Sequence, residues 1–141
     1  MTNVAVIGAG LIGRAWAIVF ARAGFEVALW DQFPLQVEAA TDFIADRLPE
    51  LAGAGLLDDD PAAVQRRIIP AKSLFDAVHA ADHVQENGPE KVDVKQVLFA
   101  ELDRIAAPEA VLASSTSGIP ASAFTEALRG RDRCLVAHPV N

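Results

Sequence analysis

A short run of mostly apolar residues, Asn3-Val4-Ala5-Val6-Ile7, passes straight into Gly8-Ala9-Gly10-Leu11-Ile12-Gly13. The following stretch, Arg14 to Ala23, has helical character, and Gly24-Phe25 ends it. A second run, Glu26-Val27-Ala28-Leu29-Trp30, closes on Asp31. Strand, glycine turn, helix, strand and terminal acid in this order constrain the fold more than any other feature. They spell a βαβ unit whose first turn faces a dinucleotide. Gly8 permits the tight turn off the strand, Gly10 leaves room for a pyrophosphate, and Gly13 lets the helix approach the strand. The amides of Leu11 and Ile12 stand at the helix start, where the dipole favours phosphate. The plainer alternative is a glycine turn in an α/β domain that binds a mononucleotide or nothing.

Asp31 lies eighteen residues after Gly13. At the end of a second strand its carboxylate accepts hydrogen bonds from both ribose hydroxyls and repels a 2′-phosphate. NAD(H) is therefore expected over NADP(H). Gln32, where an arginine would serve a 2′-phosphate, agrees.

The chain has 141 residues, which suits one domain, and 52% of them are hydrophobic, enough for a sizeable core. A net charge of −7 argues against nucleic acid and anionic membranes as partners. No apolar stretch reaches spanning length. The first strand starts at Asn3, so no signal peptide is expected. The single cysteine, Cys134, sits in an apolar run and reads as buried and inert, which suits a reducing cytoplasm. Asp58-Asp59-Asp60 before Pro61 reads as a solvated turn and helix start, and no metal site is expected.

Helical periodicity covers Pro34 to Ala54, with Leu35, Ala39, Phe43, Leu48 and Leu51 as its expected apolar face. Pro61 to Arg66 is a short helix and Ile68-Ile69 a short strand. Ser73 caps a helix through Val78. Asp82 to Gln85 is a fourth strand, and Val92 to Ile105 a helix with Val94, Leu98, Leu102 and Ile105 on one face. Val111 to Ser114 is a fifth strand, Ser122 to Leu128 a short helix, and Arg133 to Ala137 a sixth strand. Strands alternating with helices give a Rossmann-type, doubly wound parallel sheet of six core strands in order 3-2-1-4-5-6.

That order gathers the loops after strands one, four, five and six at one carboxyl edge. Glu86 to Glu90, Ser114 to Gly118 and His138 to Asn141 then share the cofactor crevice. A histidine beside a hydride acceptor suits alcohol oxidation, because a base must take the hydroxyl proton. A serine hydroxyl fixes the same substrate oxygen. The blander reading makes His138 a polar residue at a strand end and the serine run a turn. His79 and His83 read as surface or strand-edge residues. Trp16 and Phe20 read as core or domain-interface residues.

These motifs resemble the NAD-binding domain of the 3-hydroxyacyl-CoA dehydrogenase family, and within it the lambda-crystallin/L-gulonate 3-dehydrogenase branch. The residues that carry the likeness are Gly8 to Ala17, Gln85 to Glu90, Ser114 to Ser117 and Val136 to Asn141. The resemblance implies that residues 1–141 form an NAD-binding domain. It assigns His138 as catalytic base and Ser117 as a contact to nicotinamide and substrate hydroxyl. Glu90, Lys95 and Asn141 would line the nicotinamide side, and Asp31 would hold the adenine ribose. It further implies a helical C-terminal domain, absent from this chain, with a glutamate that partners the histidine, and a homodimer in the full-length protein. The function expected is NAD-dependent oxidation of the 3-hydroxyl of a 3-hydroxyacyl-CoA or free 3-hydroxy acid. Arg66, Arg67 and Lys72 would offer a basic surface to CoA phosphates. The alternative from another class is an NAD(H)-binding module without turnover. A 6-phosphogluconate-like hydroxyacid dehydrogenase explains His138 poorly.

Overall fold

A computed structural model describes residues 2–140. Asn141, one of the expected nicotinamide contacts, lies outside the described residues. The strands are β1 (Asn3–Ile7), β2 (Glu26–Trp30), β3 (Ile68–Pro70), β4 (His83–Glu86), β5 (Val111–Ser114) and β6 (Cys134–Val136). The helices are α1 (Leu11–Arg22), α2 (Pro34–Gly53), α3 (Pro61–Arg66), α4 (Leu74–Val78), α5 (Val92–Ile105) and α6 (Ser122–Thr125). All six strands run parallel in the order β3-β2-β1-β4-β5-β6. The order reverses between β1 and β4, which opens a crevice above their carboxyl ends.

Alternation along β1 divides the core into two layers. Val4 and Val6 pack with Ala17, Ile44, Leu48 and Val64 on the side of α1, α2 and α3. Ala5 and Ile7 pack with Val78, Phe99, Leu102 and Phe124 on the side of α4, α5 and α6. Both faces are covered, so β1, β2 and β5 read as nearly continuous apolar runs. Burying one such side chain, Leu29 for example, contributes about 1.5–3 kcal/mol.

Two helix faces differ from the periodicity. On α2 the buried stripe is Val37, Ala40, Ile44 and Leu48, while Leu35 is exposed. Phe43 lies at the edge, under the guanidinium groups of Arg14 and Arg47. On α5 the buried residues are Lys95, Phe99 and Leu102; Leu98 packs on the core at the crevice wall, and Val94 lines the crevice. Most of each expected face does meet the core: Leu48 with Phe43 and Leu51 from α2, and Leu102 with Leu98 and Ile105 from α5. α1 starts at Leu11 rather than Arg14, because Gly10 already supplies its N-cap. β4 starts one residue late, and α6 and β6 are shorter than their apolar patterns.

The acid triplet serves local structure. Asp60 accepts from Ala63 N at 3.1 Å and caps α3. Asp59 pairs with Arg67 at 2.6 Å, and Arg67 also donates to Ala21 O. Arg67 is thus committed internally and leaves the expected basic surface to Arg66 and Lys72. Cys134 is half-buried, and burial, helped by Asp103, pushes its thiol up to about 11. Among the described residues no helix is long and apolar enough to cross a membrane.

Candidate functional site

The glycine turn is built by close backbone contact. Gly8 has φ of +94°, a left-handed value that disfavours any side chain. A Cβ there would stand 2.8 Å from the Asn87 carbonyl oxygen, and one on Gly13 would stand 1.8 Å from the Gly8 carbonyl oxygen. Both glycines are forced by the backbone itself. Gly10 is different: a Cβ there would meet nothing within 4 Å. The space in front of α1 is open, and no side chain caps the amides of its first turn. Free amides, open room and the positive end of a helix dipole fit a pyrophosphate. The first-turn side chains of Leu11 and Ile12 point into solvent, so those residues contribute backbone only.

Asp31 stands at the end of β2, on the rim of a crevice of about 680 Å³. Gly8, Gly10, Gln32, Gly88 and Val97 also line it. The carboxylate takes one backbone amide on each oxygen, from Ala9 at 2.8 Å and Phe33 at 2.9 Å. That fixes its orientation and leaves acceptor capacity on both oxygens for a diol. Replacing Asp31 by alanine is expected to weaken NADH binding by about 1.5–3 kcal/mol, the range for charge-assisted bonds. The gap to NADPH should narrow at the same time. Parallel titrations of the two dinucleotides measure both effects, and equal binding of NADH and NADPH by the parent would refute the role.

Glu90, Lys95, Ser117 and His138 do not line this crevice; three of them, with Thr116, stand on loops that follow three other strand ends. Glu90 follows β4, Thr116 and Ser117 follow β5, and His138 follows β6. The Thr116 hydroxyl donates to Glu90 Oε1, and the Ser117 amide donates to Glu90 Oε2 at 3.1 Å. These bonds, led by that of Thr116, hold the Glu90 carboxyl below its usual range, and the charges of Lys95 and His138 add to the effect. Glu90 therefore links the serine loop to the neighbourhood of His138. His138 and Ser117 are both exposed at this edge, available to a ligand.

Lys95 lies beneath the edge, not along it. Its side chain is 2% exposed, with Nζ 2.7 Å from Glu86 Oε1 and 3.9 Å from the half-exposed Glu90. It touches the loop after β4 through those carboxylates.

Because Glu90 is lowered, its bond to Thr116 stabilises the fold above the ordinary carboxylate range. The contribution is lost as pH falls through the lowered value. Thr116→Val should raise the Glu90 titration midpoint toward that of a free glutamate. An NMR titration of the Glu90 carboxyl carbon reads this directly, and an unmoved midpoint would contradict the assignment.

Sequence reasoning missed a buried polar layer under this edge. Glu86 accepts from Lys95, from the Gly88 amide at 2.7 Å and from the Ser114 hydroxyl. On the other face of the sheet Ser115 joins Trp16, Gln85 and Asn87. The one local signal is a glutamine and a glutamate side by side at the end of β4.

Residues 3–141 match the family model of the 3-hydroxyacyl-CoA dehydrogenase NAD binding domain. The lambda-crystallin homolog of Bos taurus is 43% identical over 141 residues, 99% of this chain and 44% of its own length. The L-carnitine dehydrogenase of a Pseudomonas species is 36% identical over 137 residues, 97% of this chain and 42% of its own. The chain thus spans less than half the length of these relatives. The crystal structure of Escherichia coli 3-hydroxybutyryl-CoA dehydrogenase superposes with a TM-score of 0.92 at 33% identity, over 99% of this chain and 30% of that one. Mycobacterium tuberculosis FadB2 gives 0.92 at 33% identity, over 100% and 50%. By sequence and fold together, the chain belongs to the 3-hydroxyacyl-CoA dehydrogenase NAD binding domain family.

Proposed function

We propose that this chain is the cofactor-binding part of a dehydrogenase that oxidises the 3-hydroxyl of a free 3-hydroxy acid or a 3-hydroxyacyl-CoA. NAD is the cofactor of the family, and when bound it supplies the hydride acceptor. The amides of the glycine turn, Gly8 to Gly13, hold the pyrophosphate, and Asp31, with Gln32 beside it, holds the adenine ribose. Ser117 donates to the substrate oxygen and fixes its approach. His138 takes the hydroxyl proton as the carbon is oxidised. Glu90, and Lys95 behind it, keep the Ser117 loop and the negative charge near His138 in place. Asn141 is assigned to the nicotinamide side on the family likeness.

The observation that carries this reading is the Glu90 bridge, which ties the loop after β4 to the Ser117 loop after β5. The commitment of Arg67 to Asp59 leaves little basic surface for CoA phosphates and favours a free hydroxy acid. The named activities of the L-carnitine and 3-hydroxybutyryl-CoA dehydrogenases bracket the two substrate classes. We assign residues 1–141 to one domain, which works with a helical C-terminal domain in a homodimer. The half-exposed Leu135 and Val136 on the edge strand β6 offer an apolar docking surface. The unpaired Cys134 suits the cytoplasm.

Titration of NADH into this chain, read by fluorescence or calorimetry, should show saturable binding. A folded sample with no saturation at millimolar NADH would overturn the reading. The lambda-crystallin relatives favour a second reading, a module that holds NAD(H) without turnover. A turnover assay with a panel of 3-hydroxy acids, with the C-terminal domain in place, decides between them.

A further inference from the structure

We propose that Gln85 is a positioning residue for the catalytic edge, whose buried amide sets where His138 leaves the sheet. The inference rests on the reading of His138 as the base. Gln85 is the third residue of β4 and is fully buried. A buried amide in a short strand is expensive unless every group finds a partner.

Its partners are few and directional. Nε2 donates to Ser115 Oγ at 2.7 Å and to the Ala137 carbonyl oxygen at 3.2 Å. Both N–H bonds are then spent, so Oε1 must accept. Its neighbour is His83 Nε2 at 3.0 Å, which therefore carries the proton. A flipped amide would set its oxygen against the Ala137 oxygen, so that carbonyl fixes the orientation and, through Oε1, the His83 tautomer. Ser115 Oγ is saturated in turn. It accepts from Gln85 and from Trp16 Nε1 at 2.9 Å, and donates to Asn87 Oδ1 at 2.7 Å.

The Ala137 peptide is consequently gripped from two sides. Its N–H donates to Ser114 O at 2.8 Å, continuing the β5–β6 ladder, and its C=O accepts from Gln85. That carbonyl belongs to the peptide bond whose nitrogen is His138. The same amide holds Ser115, two residues before Ser117. One side chain thus sets the spacing between the base and the hydroxyl that share the substrate oxygen. An angstrom of drift at a reacting group costs about 10²-fold in rate. Gln85 touches neither substrate nor cofactor, so it acts only through these segments.

The test uses Gln85→Met, which keeps length and volume but donates nothing. In this chain NADH affinity should stay at the parent value, because the glycine turn and Asp31 are untouched. Amide exchange at Ala137, whose N–H donates to Ser114 O, should accelerate when read by NMR. With the C-terminal domain in place, kcat should fall about 10²-fold, with KM for NAD unchanged. His83→Gln, which restores a donor to Oε1, should retain kcat, and His83→Leu should reproduce the loss. Because His83 lies outside the Ala137 contact, this pair remains informative if Gln85→Met does not fold. Unchanged kcat in folded Gln85→Met, or equal losses in the two His83 variants, overturns the proposal. If His138→Gln also keeps turnover, the proposed function fails. If only His138→Gln loses turnover, this inference alone fails.

Discussion

Replacing Glu86 by alanine is expected to destabilise the domain by about 3–5 kcal/mol, the cost of stranding one partner of a buried ion pair. Glu86 is fully buried, and Lys95 lies on it with Nζ 2.7 Å and 3.1 Å from the two oxygens. Without the carboxylate the ammonium has only the half-exposed Glu90 at 3.9 Å. The Gly88 amide and the Ser114 hydroxyl lose an acceptor in the same step. The pair itself is a different matter. Two charges taken out of water repay their desolvation only in part, so adding Lys95→Met to Glu86→Ala should recover much of the loss. Urea unfolding of the parent, the single variant and the double variant measures all three. A single variant within about 1 kcal/mol of the parent, the scale of an exposed pair, would show that the buried pair does not carry this weight.

The second large effect concerns chemistry. With the C-terminal domain in place, His138→Gln should lower turnover by about 10²–10⁴-fold, the range for a lost general base. NADH affinity should hold, because His138 is assigned to the substrate oxygen and the glycine turn is remote from it. Ser117→Ala removes one neutral positioning bond and should lower turnover only about tenfold. Steady-state kinetics and NADH titrations on the same preparations separate the two. Comparable turnover in the His138 variant and the parent refutes the mechanism.

The parts of this molecule that local chemistry dictates were legible in the chain. The glycine turn, Asp31, the Ser73 cap and the Asp60 helix start each depend on neighbours within a few residues or on one βαβ unit. The strand order followed from the alternation of strands and helices. Which stripe of an amphipathic helix faces the core was less legible. α2 and α5 carry apolar residues both inward and toward a crevice or rim, and periodicity cannot rank two stripes. The family likeness puts Lys95 on the nicotinamide side, and nothing in the chain signals its burial, which the pairing with Glu86 makes tolerable. The Trp16–Ser115 bond spans 99 residues of sequence. No pattern in either segment encodes such a pairing before the sheet is assembled.

The contact between Gly8 and the Asn87 carbonyl gives the two loops a shared wall. The glycine turn assigned to the dinucleotide is therefore already shaped without it. Association with this domain should be limited by encounter and orientation, as for other rigid patches. Affinity differences among variants along the crevice rim will then show in how quickly the ligand departs, while its arrival rate stays nearly constant.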